Sequence, residues 1–294
     1  MTPKYTNVHS KFKLDNLSYT YEDLMEVAYS YVKEGLPYQQ ELGDFLLDWL
    51  DDKDYIIVKT SGSTGKPKKL KIKKEAMVNS AIATGDFFNL KPGNKLLQCL
   101  PSNFIAGKMM IVRAIILGLE LDMVEPSVLP RIDYEKDYDF CAFTPMQLKS
   151  FAKYLKSIKT VIVGGGRVSN TIIDLIKDKK PHVYETYGMT ETVSHIAVKK
   201  LNNFSGQEEE KYFTTLPGIK LSQDERGCLI IEAPKLSDDK IVTNDIVDLK
   251  SDSSFKWLGR YDNVVNSGGI KLFPEQIESK LQDENIFIIN ENQI

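Results

Sequence analysis

The sequence contains little of what marks a secreted or metal-stabilised protein. It has three cysteines in 294 residues, widely spaced in apolar surroundings, and we interpret Cys99, Cys141 and Cys228 as buried thiols of a reducing compartment. The three histidines have no CxxC or HxxxH companion, which argues against a structural zinc site. The N-terminal segment has no apolar core of a secretory signal, so we expect a cytoplasmic protein.

Long apolar runs and a strong excess of one charge are also missing. The longest apolar stretch, residues 109–124, is interrupted by Arg113, Glu120 and Asp122 and is too short to cross a bilayer. The formal net charge is −3, and the densest basic run, KKLKIKK, fits a solvated face. We therefore expect neither nucleic acid nor a membrane as the main partner.

What the sequence does contain is an alternation of short β-branched runs with longer segments of helical periodicity. We expect strands at 54–59, 95–100, 119–124, 140–145, 160–166 and 182–188. A helix is expected at 146–158, and another follows Ser169 or Asn170 as its N-cap. Strands that are apolar on both faces and separated by helices predict an α/β fold with a mostly parallel sheet covered on both sides.

The pattern becomes β-rich after about Leu201. A hairpin is expected at 218–234, with its turn near QDERG, and further strands at 240–249 and 254–260. A joint containing glycines follows, and then a helix that begins near Pro274. The residues after the joint are too few for an independent core.

The stretch from Thr60 to Lys68 places small and hydroxyl-bearing residues between two expected strands. In order they are Thr60, Ser61, Gly62, Ser63, Thr64, Gly65, Lys66, Pro67 and Lys68. Hydroxyls, glycine N–H groups and lysine charge suit a phosphate chain. A Walker-type loop is excluded, because only two residues separate the glycines and a proline and a strand follow Lys66. Taken alone, the stretch also fits a simple Gly/Ser turn.

Four motifs occur in a fixed order along the chain. They are TSGSTGKPKKL (60–70), ETYGMTET (185–192), TNDIVDL with a following GR (243–260), and RYDNVVNSGGIKLFPEQIE (260–278). Together they resemble the adenylate-forming (acyl-CoA synthetase, luciferase-like) superfamily over roughly residues 54 to 280. Within it the chain looks most like the o-succinylbenzoate–CoA ligases of menaquinone biosynthesis.

The resemblance implies a fold and a reaction. Residues 1–261 would form the N-terminal adenylating domain, an α/β unit whose β-rich part is 202–261, and residues 262–294 the hinge and the truncated start of a small α+β domain. ATP with Mg²⁺ would convert a small carboxylic acid to an acyl-adenylate, and coenzyme A would then take the acyl group. A homodimer is left open.

The resemblance also assigns roles to residues. Thr60 to Gly65, with Lys66 and Lys68, would clasp phosphates. Nucleotide binding would fall to Gly164, Gly165, Gly166, Tyr187, Gly188, Asp245 and Arg260, with Tyr187 stacked on adenine and Asp245 on the ribose hydroxyls. Lys66, Thr190 and Glu191 would be catalytic, with Thr190 on the α-phosphate and Glu191 holding Mg²⁺.

Further roles concern the acid, coenzyme A and the hinge. Phe104, Thr192 and His195 would line the acyl pocket. Lys108, Arg113 and His195 are candidates to bind a second carboxylate of the acid, although each also fits a surface or helix-face position. Asp262 would be the hinge, and Gly268 and Gly269 would line the coenzyme A channel.

Two departures from the family pattern and several alternatives stay open. Lys69 stands where the family commonly has glycine, and the family's adenylation lysine would lie beyond Ile294, so we expect the chain as given to be impaired in adenylation. A ligase for another aryl or acyl acid, an enzyme that loads a carrier protein, and a nucleotide-binding protein inactive as a ligase are the rivals. A dinucleotide oxidoreductase is remote, since Ser169 occupies the last position of G-x-G-x-x-G.

Overall fold

The computed structural model describes residues 3–59, 69–205, 211–267 and 270–282. Its helices are Tyr21–Glu34 (α1), Pro37–Leu50 (α2), Lys74–Phe88 (α3), Ile105–Leu117 (α4), Pro145–Phe151 (α5), Asn170–Ile176 (α6) and Pro274–Gln282 (α7). Its strands are Lys13–Leu14 (β1), Leu17–Ser18 (β2), Tyr55–Lys59 (β3), Lys69–Lys73 (β4), Lys95–Gln98 (β5), Glu120–Met123 (β6), Tyr138–Phe143 (β7), Ile158–Val163 (β8), His182–Gly188 (β9), His195–Lys200 (β10), Phe213–Thr215 (β11), Lys220–Gln223 (β12), Cys228–Glu232 (β13), Ile241–Ser251 (β14), Ser254–Arg260 (β15), Val265–Ser267 (β16) and Ile270–Leu272 (β17).

Most strands join one mixed sheet, in the order β12-β13-β14-β15-β11-β10-β9-β8-β7-β5-β6-β1-β2. The strands β1, β6, β5, β7, β8 and β9 are parallel to their neighbours in this series, while the pairs from β9 to β12 are antiparallel. The pairs β3–β4 and β16–β17 form separate two-stranded sheets. The expected α/β region followed by a β-rich region is confirmed.

The parallel part of the sheet is buried on both faces. Consecutive residues of β5, Leu96 and Leu97, belong to different apolar clusters, because successive side chains of a strand point to opposite faces. The cluster of Leu96 includes residues of α1 to α4, and that of Leu97 includes residues of α5 and α6. This two-sided burial explains the continuous apolar runs in the sequence.

The antiparallel part curls back towards the parallel part. Three strands, β10, β11 and β15, separate β9 from β14 in the sheet order. In a flat sheet with strands about 4.8 Å apart, β9 and β14 would be about 19 Å apart. The hydroxyl of Tyr187 on β9 nevertheless lies 2.6 Å from Oδ2 of Asp245 on β14. The sheet therefore bends around the ring of Tyr187, which packs against Phe213 and Phe255.

Some boundaries differ from the sequence-based expectations. The helices α1 and α2 were not anticipated, although Thr20 forms a capping box at the start of α1. The helix expected at 146–158 ends at Phe151, and a separate 3₁₀ turn follows at Leu155–Ser157. Ser169 is the N-cap of α6, with its hydroxyl accepting from Ile172 N at 3.4 Å, as expected. The three cysteines are buried free thiols, also as expected.

Two absences hold for the described part of the chain. None of its helices has the length and apolar character needed to cross a bilayer. Its His, Cys, Asp and Glu side chains form no group of three or more that could hold a metal ion.

A buried lysine ties α2 to the start of α3. Lys74 is fully buried, and its Nζ donates to the Asp51 carbonyl oxygen at 2.9 Å and to Asp51 Oδ1 at 2.7 Å. Burial, the largest influence, raises the pKa of Asp51, but hydrogen bonds from Lys53 and Lys74 outweigh it and lower that pKa to about 2. The side chain of Asp51 is 28% exposed and that of Lys74 is 0% exposed, so the lysine is the more deeply buried partner.

This asymmetry predicts unequal losses of stability. Asp51→Ala leaves the Lys74 ammonium buried without its counter-ion, and we expect a loss of about 3 kcal/mol in the free energy of unfolding. Lys74→Met removes the buried charge and leaves a carboxylate that reaches water, so its loss should be smaller. Urea unfolding of the wild-type chain and both variants measures the difference, and a larger loss for Lys74→Met would contradict it.

The same pair predicts a pH dependence. The folded-state pKa of Asp51 lies below its ordinary value of 3.8, so the stabilisation is present above about pH 4 and is lost as the pH falls through about 2. In Asp51→Ala this part of the acid-induced loss should be absent.

Candidate functional site

Two groups of candidate residues lie where neighbouring strands end. Gly164 to Gly166 follow β8 directly, and Tyr187 and Gly188 are the last residues of β9. Since β7, β8 and β9 are parallel, their carboxyl ends meet at one edge of the sheet. Ligands of open α/β sheets bind in crevices at this edge.

Tyr187, Asp245 and Arg260 form one connected group. Asp245 on β14 is opposite Arg260 on β15, and its Oδ1 lies 3.7 Å from Arg260 Nη1. Its Oδ2 accepts the hydrogen bond from the Tyr187 hydroxyl at 2.6 Å. Burial, then the charge of Asp245, raises the pKa of Tyr187 far above its ordinary range, so the phenol stays protonated as a donor. Residues predicted separately from two motifs are thus connected by one hydrogen bond and one ion pair.

The glycine turn after β8 leaves no room for a side chain at its first position, Gly164. A Cβ on Gly164 would lie 2.6 Å from Thr186 Oγ1, and that hydroxyl donates to the Val163 carbonyl oxygen at 2.9 Å. A side chain at Gly164 would therefore displace the Thr186 hydroxyl from its hydrogen bond to Val163.

Glu185 fixes the chain that follows this turn, and sequence reasoning missed it. It is buried, accepts from Val168 N at 3.0 Å, and pairs with Lys199 Nζ at 2.7 Å. It stands first in ETYGMTET, but no motif rule distinguishes it from an exposed strand residue. Through its hydrogen bond to Val168 N, Glu185 stabilises the segment that follows the glycine turn.

The segment after β9 is a strained double turn. Thr190–Thr192 forms a 3₁₀ turn in which Glu191 is exposed. Val193 has φ +67° and ψ −52°, and Ser194 N donates to the Thr192 carbonyl oxygen at 2.7 Å. This is a γ-turn of the rarer hand, which costs about 1–3 kcal/mol for such a residue. Strain of this kind concentrates at functional sites.

The hydroxyl of Thr192 stabilises this turn. It is fully buried, and its hydroxyl accepts from Met189 N at 2.9 Å and lies 2.8 Å from the Ser194 carbonyl oxygen. The geometry gives the Thr192 hydroxyl a structural task, in addition to any contact with an acyl group.

Arg113 and His195 meet in the interior beside the strained turn. Nη2 of Arg113 donates to Ser194 Oγ at 2.8 Å and lies 3.5 Å from His195 Nδ1. Burial lowers the pKa of Arg113 to about 9. Burial, and next the charge of Arg113, lowers the pKa of His195, so the imidazole is neutral near pH 7. Within the described residues, no carboxylate forms an ion pair with Arg113, and both Arg113 Nε and His195 Nε2 are buried without a hydrogen-bond partner.

Lys108 lies elsewhere, although it is on the same helix α4. Its Nζ is 4.6 Å from the centre of the Phe45 ring, and burial lowers its pKa. The nearest charges acting on it are Asp48, Glu41 and Asp44 of α2. The structure therefore groups Arg113 with His195 and separates Lys108 from them. Phe104, the N-cap of α4, is 50% exposed.

A narrow cavity opens beside His195. It lies between α3 and β10 and is bounded by Ser80, His195, Leu216 and Lys235 among others. Ser80 Oγ and His195 Nε2 are buried polar atoms without a hydrogen-bond partner in the described ranges. The cavity has a volume of about 20 Å³, which is room for one water-sized polar group beside these atoms.

The remaining candidates divide into described and undescribed positions. Asp262 lies in the 3₁₀ turn Tyr261–Asn263, with its Oδ2 accepting from Asn244 Nδ2 at 3.3 Å and lying 3.5 Å from Arg260 Nη2. Thr60 to Lys68, together with Gly268 and Gly269, fall outside the described residues. The antiparallel strands β3 and β4 flank the first of these segments.

The chain is similar to several known proteins. A 2-succinylbenzoate–CoA ligase of Listeria monocytogenes is 25% identical over 286 residues, covering 88% of this chain and 60% of that protein. The crystal structure of an acyl-CoA synthetase (AMP-forming)/AMP-acid ligase II-like protein from Dyadobacter fermentans matches with a TM-score of 0.72 and 37% identity, over 88% of this chain and 75% of that one.

A third relative shares the fold. The o-succinylbenzoate coenzyme A synthetase of Bacillus subtilis, solved with ATP and a magnesium ion, has a TM-score of 0.66 at 21% identity, over 78% of this chain and 55% of that one. The chain spans little more than half the length of the curated 2-succinylbenzoate–CoA ligases that it matches.

The family description "AMP-binding enzyme" matches residues 45–222, more than half of the 294 residues. This range contains the glycine turn, Tyr187, the strained turn and Arg113. The chain belongs to the AMP-binding enzyme family of adenylate-forming ligases.

Proposed function

We propose that this chain is the nucleotide- and acid-binding part of an ATP-dependent carboxylic acid–CoA ligase. The observation that carries the proposal is the connected group Tyr187–Asp245–Arg260 beside the glycine turn at the carboxyl edge of the sheet. A carboxylate acceptor, a cation and an aromatic ring at one edge suit the ribose, phosphate and base of a nucleotide.

The proposed reaction has two steps. A carboxylate oxygen of the acid attacks the α-phosphorus of ATP, and pyrophosphate leaves. The thiol of coenzyme A then attacks the acyl carbon, and AMP leaves. The first step brings two anions together, so positioning by the protein and neutralisation of phosphate charge supply most of the acceleration.

The residues at the edge would divide these tasks. Thr190, at the start of the turn, would donate to the α-phosphate, and Thr60 to Lys68 would hold the remaining phosphates. Glu191 is an exposed carboxylate, which repels phosphate unless a cation lies between them. One carboxylate with phosphate oxygens and water suits Mg²⁺, which would neutralise charge on the phosphates. A cytoplasmic location and a homodimer stay predictions.

The buried arginine supports an acid with two carboxylates. A buried guanidinium without a counter-ion is costly, and an anionic group of the substrate would offset that cost. o-Succinylbenzoate carries a second carboxylate and is the acid in the names of the curated relatives. We therefore propose o-succinylbenzoate as the acid, with His195 and Arg113 facing its second carboxylate. Another aryl or acyl acid is the alternative.

Asp245 tests the nucleotide site. Asp245→Asn keeps an acceptor for the Tyr187 hydroxyl but removes the charge, and we expect the dissociation constant for AMP to rise about tenfold, measured by calorimetry. Asp248→Ala, an exposed carboxylate on the same strand, is the control and should bind AMP like the wild type. Equal AMP affinity in Asp245→Asn and wild type would contradict the assignment.

Arg113 tests the acid. Arg113→Met should weaken binding of o-succinylbenzoate in the presence of ATP and Mg²⁺ by about 100-fold, because it removes a desolvated charge partner. Binding of benzoate, which has one carboxylate, should change little. Lys108→Met is the matched control, since it alters a buried cation on the same helix that faces α2. A similar loss for benzoate, or for Lys108→Met, would count against the second carboxylate.

Turnover tests the reaction itself. With o-succinylbenzoate, ATP, Mg²⁺ and coenzyme A, we expect acid-dependent release of pyrophosphate from the full-length natural protein. AMP binding without acid-dependent release would favour a nucleotide-binding protein inactive as a ligase. Release with other acids but not with o-succinylbenzoate would reject the specific acid and retain the ligase.

A further inference from the structure

The side chain of Glu275 joins helix α7 to the end of β15 and to the turn that follows it. Oε1 of Glu275, in the first turn of α7, accepts from Asn263 Nδ2 at 2.6 Å and from Arg260 N at 3.3 Å. Arg260 is the last residue of β15, and Asn263 lies in the 3₁₀ turn that follows it. The carboxylate therefore reaches across from one element and holds the backbone of another.

The same residue also binds the loop after the glycine turn. The Glu275 carbonyl oxygen accepts from Arg167 Nη1 at 2.7 Å. Arg167 directly follows Gly166, and Arg260 directly faces Asp245. Glu275 thus contacts both walls of the candidate nucleotide site, one through its carboxylate and one through its backbone.

The approach of Glu275 to β15 requires a glycine. Gly259 has φ +158°, and a Cβ there would lie 2.6 Å from Glu275 Oε2 and 3.4 Å from Phe273 Cδ1. Oε2 itself is buried and has no hydrogen-bond partner within the described residues. A simple first-turn acid would point to water or to its own helix. This carboxylate instead lies against the strand, and one of its oxygens loses hydration to do so.

We propose that Glu275 is a positioning residue, which sets where Arg260 lies at the nucleotide site and fastens α7 to that site. The role of Arg260 towards a nucleotide rests on the proposed function. The fastening of α7 to the joint does not. Glu275 couples nucleotide binding at Arg260 to the attachment of α7, and such a coupling acts equally in both directions. A nucleotide that contacts Arg260 therefore also stabilises the attachment of α7. Loss of Glu275 weakens nucleotide binding and the attachment of α7.

Hydrogen–deuterium exchange of the full chain measures the fastening. In Glu275→Ala we expect the amide of Arg260 and the amides of α7 to exchange about tenfold faster than in wild type, with no nucleotide present. Glu278→Ala, which removes an exposed carboxylate from the same helix, should exchange like wild type. Glu275→Gln keeps an acceptor oxygen in place and should recover most of the protection.

Affinity for AMP measures the positioning. We expect Glu275→Ala to bind AMP about three- to tenfold more weakly, Glu275→Gln to bind it nearly as well as wild type, and Glu278→Ala to be unchanged. AMP should slow exchange in α7 of the wild type and fail to do so in Glu275→Ala. A general loss of structure would not be rescued by Glu275→Gln.

The outcomes are separable. Wild-type exchange rates and AMP affinity in Glu275→Ala would overturn the proposal and leave the proposed function intact, as would equal effects of Glu275→Ala and Glu278→Ala. If the wild type binds no AMP, the proposed function fails, and so does the positioning of Arg260 for a nucleotide. Faster exchange in Glu275→Ala would then still support the fastening of α7.

Discussion

The hydrogen bond from Tyr187 to Asp245 is the constraint on which the candidate site depends. It joins β9, the last parallel strand, to β14, which would be far away in a flat sheet. The curl that closes this distance also brings Arg260, which is opposite Asp245, into the same group. The aromatic rings of Phe213 and Phe255 fill the inside of the curl and hold the phenol in place. Packing of the β-rich part thus decides the geometry of a polar site.

Several local features near this site are energetically unfavourable. Val193 adopts a strained turn, Arg113 is buried without a carboxylate among the described residues, and Ser80 Oγ has no hydrogen-bond partner there. Natural proteins usually avoid such features unless a function requires them. Their concentration near His195, beside one edge of the sheet, supports a single site over scattered irregularities.

The strands and the motif residues could be predicted from the sequence because both are local patterns. The contact of Tyr187 with Asp245 could not be predicted, because it depends on the curl of the sheet. The turn at Val193 could not be predicted either, since a β-branched residue rarely occupies such a conformation. The separation of Lys108 from Arg113 could have been predicted from the sequence. Five residues on a helix turn the side chain by about 140°, so the two could not face the same pocket.

The curl also affects how the site is completed during folding. Its central hydrogen bond links positions 58 residues apart in sequence, across strands that are not neighbours in the sheet. Such non-local contacts are formed after local ones, once the cost of closing the intervening loop has been met. Until β14 and β15 have joined the sheet, Tyr187 therefore lacks its contact with Asp245, and the connected group with Arg260 is incomplete. The candidate site is complete only when these last long strands have paired.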